Sequence, residues 1–216
     1  MPQLFRPRSN SLAKLSIAGV VLLAGAIVIV AYTVDRGAWV TVVQVTEQQP
    51  IPFSHKHHVG DDGIDCRYCH TSVETSAYAG MPATEICMSC HSQLWSDASV
   101  LEPLRESWQY GRSIEWTRIY DLPDFVYFNH SIHIAKGIGC STCHGRVDQM
   151  PLTYRANALY MNWCLQCHRN PERYVRPRDQ VFNSAYVPPT DQLQMGKRLV
   201  AEYQIHSLTD CVTCHR

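Results

Sequence analysis

FNHSIHIAKGIGCSTCH, at residues 128–144, joins two short motifs, FxHxxH and CxxCH, that decide how this chain is organised. A matching stretch, FSHKHHVGDDGIDCRYCH, occupies residues 53–70, and each copy is followed by a second CxxCH motif, at 87–91 and at 164–168. The repeated order of motifs predicts a duplicated module. A truncated third copy closes the sequence, with Tyr203 and His206 ahead of a last CxxCH motif at 211–215.

The ten cysteines of the 216-residue chain all fall into CxxC pairs, and every pair is followed at once by histidine. The pairs are Cys66 and Cys69, Cys87 and Cys90, Cys140 and Cys143, Cys164 and Cys167, and Cys211 and Cys214. The histidines that follow them are His70, His91, His144, His168 and His215. CxxCH is the attachment motif of c-type haem, in which both thiols form thioether bonds and the histidine binds iron. The pattern therefore predicts five covalent haems.

Two other uses of CxxC pairs fit the sequence less well. A structural zinc ion needs four protein ligands, and zinc gives no reason for a histidine directly after every pair. Redox disulfides of the thioredoxin type accompany a βαβ pattern, which this sequence lacks.

Six histidines lie outside the CxxCH motifs. Each of the five haems would need one distal ligand, so the number of these histidines nearly matches the number required. His55, His58, His130 and His133 are expected to be these distal ligands, since a spacing of three residues can direct two imidazoles from one turn toward different haems. The fifth distal ligand is His206, Met150 or absent, and the choice matters because methionine raises a haem's potential. His57 is the spare histidine.

The N-terminal part of the chain predicts a membrane anchor. Residues 15–34 carry no charge, and a helix of this length spans about 30 Å, the thickness of the hydrocarbon core. Arg6, Arg8 and Lys14 precede the apolar stretch, which predicts a cytoplasmic N-terminus and a periplasmic or otherwise extracytoplasmic haem region at the inner membrane. The alternative, a cleaved signal peptide, usually has a shorter apolar stretch.

The predicted segments follow from these motifs. They are a cytoplasmic tail at 1–14, a transmembrane anchor at 15–34, a first dihaem module at 35–125, a second at 126–185 and a fifth-haem segment at 186–216. Short helices are expected at 98–110, broken near Pro103, and at 191–205, with Thr190 as N-cap, and extended structure at 114–128. With so few residues for each motif, the side chains alone cannot form an ordinary apolar core. The haems are therefore expected to fill the interior.

The charge balance of the chain and the expected ligands of the irons argue against several functions. The 19 basic and 19 acidic residues form no run of either sign, which argues against binding to nucleic acid. If every iron has two protein ligands, no coordination position is left for a substrate. The chain is therefore expected to carry electrons and to have no catalytic site of its own.

Three stretches resemble a known family: GMPATEICMSCH at 80–91, LPDFVYFNHSIHIAKGIGCSTCHG at 122–145 and MNWCLQCHRNPE at 161–172. They are similar to the pentahaem cytochrome c (ActA) subunits of alternative complex III, a bacterial quinol oxidoreductase. The resemblance implies contact with a molybdopterin-like iron–sulfur subunit, with polytopic quinol-binding membrane subunits and with a monohaem cytochrome c.

The expected fold is a mostly irregular and helical multihaem cytochrome c of the class III or c7 type, with duplicated haem modules and one N-terminal transmembrane helix. The expected function is relay of quinol-derived electrons within a membrane complex to a downstream cytochrome or other acceptor. The alternative is a self-sufficient quinol dehydrogenase of the NapC/NirT type, which also combines one membrane helix with c-type haems.

Overall fold

The computed structural model describes residues 6–215 and separates them into two compact units, which meet in sequence between Val42 and Val43. The first unit consists of helix α1 (Pro7–Arg36) and the short helix α2 (Ala38–Thr41). Pro7 lies in the first turn of α1, where its missing N–H costs nothing. The helix ends where the N–H of Gly37 donates to the carbonyl of Val34 at 3.1 Å.

Helix α1 extends beyond both ends of the predicted anchor. Its apolar side chains are exposed on all sides, and the helix is long and apolar enough to cross a membrane. Thirty residues at 1.5 Å each give a length of about 45 Å, enough for the hydrocarbon core and part of both headgroup regions. The sequence prediction of one membrane-spanning helix candidate is therefore confirmed.

The second unit, from Val43 onward, consists of short helices and irregular segments, and the described residues form only isolated β-bridges. Its α-helices are α3 (Cys66–Cys69), α4 (Thr84–His91), α5 (Glu102–Tyr110), α6 (His130–Ala135), α7 (Cys140–His144), α8 (Met161–Arg169), α9 (Gln192–Glu202) and α10 (Cys211–Cys214). A π-helical turn covers Lys56–Asp61, and 3₁₀ turns cover Ser99–Leu101, Val147–Gln149, Pro171–Arg173 and Arg178–Gln180. The mostly helical and irregular fold class is confirmed.

The predicted helices outside the motifs are present with shifted boundaries. Pro103 stands in the first turn of α5 and starts this helix rather than breaking it. Helix α9 begins after Asp191, one residue later than the predicted cap. The stretch 114–128 forms no strand, and its backbone pairs only through a single antiparallel bridge between Val126 and His215.

Two small apolar clusters stabilise the second unit. One contains Ile51, Leu101 and Leu104, and the other contains Val175, Leu199 and Tyr203. Leu104 of α5 and Leu199 of α9 belong to these clusters, so both helices support the unit beside the motif-bearing helices. Their small size agrees with the expectation that side chains alone make little of the interior.

Candidate haem-binding sites

Each CxxCH motif lies on a short helix, and the motifs define five candidate sites numbered along the chain. Site 1 is 66–70 (α3), site 2 is 87–91 (α4), site 3 is 140–144 (α7), site 4 is 164–168 (α8) and site 5 is 211–215 (α10). Cysteines three residues apart on a helical turn share one face, which suits two bonds to one planar group. All ten cysteines are free thiols in the structure, so none is used in a disulfide.

The two FxHxxH segments fold alike although only the second is an α-helix. In the first segment, the carbonyl of Ser54 accepts hydrogen bonds from the backbone N–H of His58 at 3.2 Å and from its Nδ1 at 2.9 Å. In the second, the side chain of Asn129 caps α6, and the Asn129 carbonyl accepts from Nδ1 of His133 at 2.7 Å. Both segments therefore hold their second imidazole in a fixed orientation.

The phenylalanine of each segment packs against the second histidine of the same segment. Phe53 stacks on His58 with ring centres 4.5 Å apart, and Phe128 stacks on His133 at 4.4 Å. No spacing in the sequence indicates this contact. Its effect is to restrict the rotation of the imidazole whose Nδ1 is already fixed.

Three histidines of the FxHxxH segments face three motif histidines at nearly one distance. The ring centres are 6.1 Å apart for His58 and His91, 6.3 Å for His130 and His144, and 6.2 Å for His133 and His168. Two imidazoles that bind one metal ion from opposite sides, each at about 2 Å, have ring centres roughly 6.4 Å apart. The residues therefore fit a hexacoordinate iron held between two histidines.

His55 lies near enough to His70 for the two rings to interact electrostatically. Burial, and to a smaller extent the neighbouring His70 and His58, lower the pKa of His55 to about 4. The ring of His55 is held by Thr153, whose hydroxyl lies 2.8 Å from Nδ1. By its place in the duplicated pattern, this pair corresponds to His130 and His144.

Burial also keeps other candidate ligands uncharged at neutral pH. It lowers the pKa of His144 to about 4, and it lowers the pKa of His133 in the same way. Only a neutral imidazole has a lone pair for a metal ion, so these environments favour ligation over protonation.

Backbone carbonyls determine the tautomer of six candidate ligands. A carbonyl can only accept, so Nδ1 carries the proton and Nε2 keeps the lone pair that a metal ion needs. The Nδ1 contacts are His58 with Ser54 (2.9 Å), His70 with Gly80 (2.7 Å), His91 with Leu94 (3.0 Å), His130 with Ala77 (2.9 Å), His133 with Asn129 (2.7 Å) and His215 with Phe125 (3.1 Å).

The remaining candidate ligands, His57, Met150 and His206, lie in three different environments. His57 turns its Nε2 toward a carboxylate oxygen of Asp62 at 3.5 Å, in keeping with its role as the spare histidine. Met150 is 2% exposed and lies beside Gly145, directly after site 3. His206 is exposed just beyond the end of α9. Among the described residues, no histidine ring faces His215 in the way that His58, His130 and His133 face the motif histidines of sites 2, 3 and 4.

Arg176 is a residue beside site 3 that the sequence analysis missed. It is 6% exposed, and its guanidinium donates to the hydroxyl of Thr142 at 3.1 Å and more weakly to that of Ser141. Its Nε is buried without a hydrogen-bond partner, and no carboxylate pairs with it in the part of the chain described here. Burial lowers the pKa of Arg176, although arginine stays charged. No spacing or motif in the sequence marks this position.

The motif helices and facing histidines define a multihaem cytochrome c. The sequence profile of the family described as cytochrome c7 and related cytochrome c matches residues 51–100 and 126–216, which include every CxxCH motif and both FxHxxH segments. The chain belongs to this family, so it carries covalently attached c-type haem. It is also similar to a protein of Nitratidesulfovibrio vulgaris named menaquinone reductase, multiheme cytochrome c subunit. The two are 33% identical over 57% of this chain and 69% of that protein.

Proposed function

We propose that this chain holds five c-type haems and relays electrons as a subunit of a membrane quinol:acceptor oxidoreductase. The observation that carries the proposal is the facing of His58, His130 and His133 with motif histidines at 6.1 to 6.3 Å. Such a pair would hold an iron between two imidazoles, and an iron held in this way would have no open position for a substrate and could only exchange electrons.

The roles of the residues follow from this geometry. The cysteines of each motif would attach the porphyrin, the motif histidine would be the proximal ligand, and the FxHxxH histidines would be the distal ligands of sites 1 to 4. The haem group supplies one-electron transfer at its iron. The chain contributes ligand orientation through the carbonyls that hold Nδ1 and excludes water by burial.

The sixth ligand at site 5 is proposed to be His206 rather than Met150, because Met150 lies beside Gly145, directly after site 3, and its carbonyl accepts from the N–H of Lys56 in the first FxHxxH segment. Two variants test this assignment. Replacing the true ligand makes one haem high-spin, which electron paramagnetic resonance (EPR) detects, whereas replacing the other residue leaves every haem low-spin. Neither variant, His206→Ala or Met150→Leu, should disturb the packing, because His206 is exposed and Met→Leu keeps the volume of a buried side chain. If neither variant yields a high-spin signal, both assignments are wrong.

The apolar helix α1 supports a place at the membrane. In the proposed arrangement α1 spans the inner membrane with the N-terminus in the cytoplasm, and the haem region is periplasmic. The proposed partners are those of alternative complex III: a molybdopterin-like iron–sulfur subunit, polytopic quinol-binding subunits and a monohaem cytochrome c. The name of the similar protein, a subunit of a menaquinone reductase, also supports assembly with partners.

The same name favours a second direction of electron flow, from a periplasmic donor to menaquinone. Both directions would use the same residues, so the assay must be made on the assembled complex. The membrane complex is purified through a tag on this chain, and haem reduction by menaquinol is compared with haem oxidation by menaquinone. Net reduction by quinol at physiological ratios supports the quinol oxidoreductase, and the opposite result supports the reductase.

The chain purified alone in detergent provides the decisive control. A pyridine haemochrome assay combined with the intact mass counts the covalent haems, and fewer than five contradicts the proposal. Quinol should reduce these haems much more slowly than in the complex. Fast reduction of the isolated chain would instead identify a self-sufficient quinol dehydrogenase of the NapC/NirT type.

A further inference from the structure

The histidine contacts connect sites within each repeat. In the first repeat, the hydroxyls of Tyr68 at site 1 and Ser89 at site 2 lie 2.9 Å apart, and His58, on the same turn as His55, faces site 2. His130 and His133 lie on the first turn of α6 and face sites 3 and 4. Because two side chains three residues apart are neighbours, sites 1 and 2 are adjacent, and so are sites 3 and 4.

The two repeats meet through their first sites. Arg67 of site 1 lies over the ring of Phe182 at 4.4 Å, and the carbonyl of the adjacent Val181 accepts from the backbone N–H of Cys140 at site 3 at 3.2 Å. The distal ligand of each first site is anchored by the other repeat. His55 contacts Thr153, and His130 donates from both its backbone N–H and its Nδ1 to the carbonyl of Ala77 at 3.1 and 2.9 Å. Sites 1 and 3 are therefore adjacent, although site 2 lies between them in the sequence.

Site 5 adjoins site 4. The hydroxyl of Ser207, just before site 5, donates to the carbonyl of the site 4 histidine, His168, at 2.8 Å. The carbonyl of Cys214 accepts from the N–H of Tyr127 at 2.8 Å, so site 5 is also fixed to the segment that leads into α6.

We infer that the five sites follow one another in space in the order 2, 1, 3, 4, 5, so that sites 2 and 5 are the ends of the series. This inference rests on the proposed function, because it concerns the haems that the sites would hold. This spatial order differs from the order along the chain only in that sites 1 and 2 exchange places. Site 2 lies at the end of the series, and site 1 lies between sites 2 and 3. Sites 1 and 3 then join the two halves of the series, and electrons enter or leave the protein at sites 2 and 5.

The order can be tested by a distance measurement that needs no activity. A spin label is attached at Leu208→Cys, beside site 5, where the leucine is 46% exposed. One site at a time is converted to high-spin iron by replacing its distal ligand: His58→Ala for site 2, His55→Ala for site 1, His130→Ala for site 3 and His133→Ala for site 4. The fast-relaxing high-spin iron shortens the relaxation time of the label, and this effect falls steeply with distance.

The expected relaxation effect is largest for site 4, smaller for site 3, smaller again for site 1 and smallest for site 2. A larger effect from site 2 than from site 1 would overturn the inference, and so would a larger effect from site 1 than from site 3. The haem count of each variant is measured first. Fewer than five haems in the unsubstituted chain contradicts the proposed function, whereas five haems with the wrong order contradicts only this inference.

A second measurement tests the same order without replacing any ligand, so it applies even if the ligand variants lose a haem. Glu74→Cys, after site 1, and Leu94→Cys, after site 2, are both exposed and leave every candidate ligand in place. Each is paired with Leu208→Cys, and the label-to-label distance is measured by pulsed EPR with reduction-resistant labels. The distance from residue 94 should exceed that from residue 74, and the reverse result would overturn the order.

Discussion

The contact between the first FxHxxH segment and the turn after site 3 leads to a sharp prediction at Gly60. This glycine lies in the π-helical turn Lys56–Asp61, which packs against the 3₁₀ turn Val147–Gln149. A methyl group at Gly60 would overlap the carbonyl oxygen of Asp148 and lie 3.3 Å from its carbonyl carbon. These are backbone atoms that cannot rotate away. Gly60→Ala must therefore separate the two turns by roughly 1 Å to restore ordinary van der Waals contact.

A displacement of this size is large for metal ligation. His58 is two residues before Gly60 and faces His91 at 6.1 Å, and His55 is held by Thr153 from the segment that would be pushed away. A shift of roughly 1 Å is about half of a metal–imidazole bond length of about 2 Å. We expect Gly60→Ala to weaken axial ligation at site 1 or site 2 and to lower the unfolding free energy by about 1–3 kcal/mol, as overpacking does.

The assay is EPR of the oxidised protein together with chemical denaturation. Gly60→Ala should show a high-spin signal from one haem that the unsubstituted protein lacks. Gly63→Asn is the matched control, since Gly63 has a φ of +71° with nothing within 4 Å, and asparagine tolerates this conformation. A Gly60→Ala protein with an unchanged spectrum and stability would refute the reasoning, and so would an equal effect of both substitutions.

Three further predictions use other described residues. His58→Ala should convert one haem to the high-spin form, whereas His57→Ala should leave all haems low-spin in the same EPR measurement, because His57 faces a carboxylate. Leu104→Ala should lower the unfolding free energy by about 2–5 kcal/mol in a urea titration, since the side chain is 2% exposed, whereas Leu94→Ala at 60% exposure should change it little. Arg176→Gln removes a buried positive charge beside site 3, so one midpoint potential should fall by roughly tens of millivolts in a spectroelectrochemical titration, and unchanged potentials would show that this charge is compensated.

The prediction of secondary structure succeeded where the signal was local and strong. The apolar stretch at 15–34 lies inside one continuous helix, since a helix satisfies all of its backbone hydrogen bonds within the segment and needs no partner to form them. The stretch at 114–128 has the aromatic and β-branched residues of a strand, yet it forms only one bridge, with His215. A strand needs a neighbour with free backbone groups, and composition cannot show whether the fold supplies one.

The sequence by itself determined the chemistry: the attachment motifs, the candidate distal histidines, their duplication and the apolar helix. Each of these depends on residue type and on spacing within a few tens of residues. Only the tertiary structure decided which histidine faces which motif, that His130 is held by Ala77 of the other repeat, and that Arg176 lies against site 3. These contacts join residues 14 to 53 positions apart, and no local spacing records them, because they arise only when segments distant in sequence pack on each other.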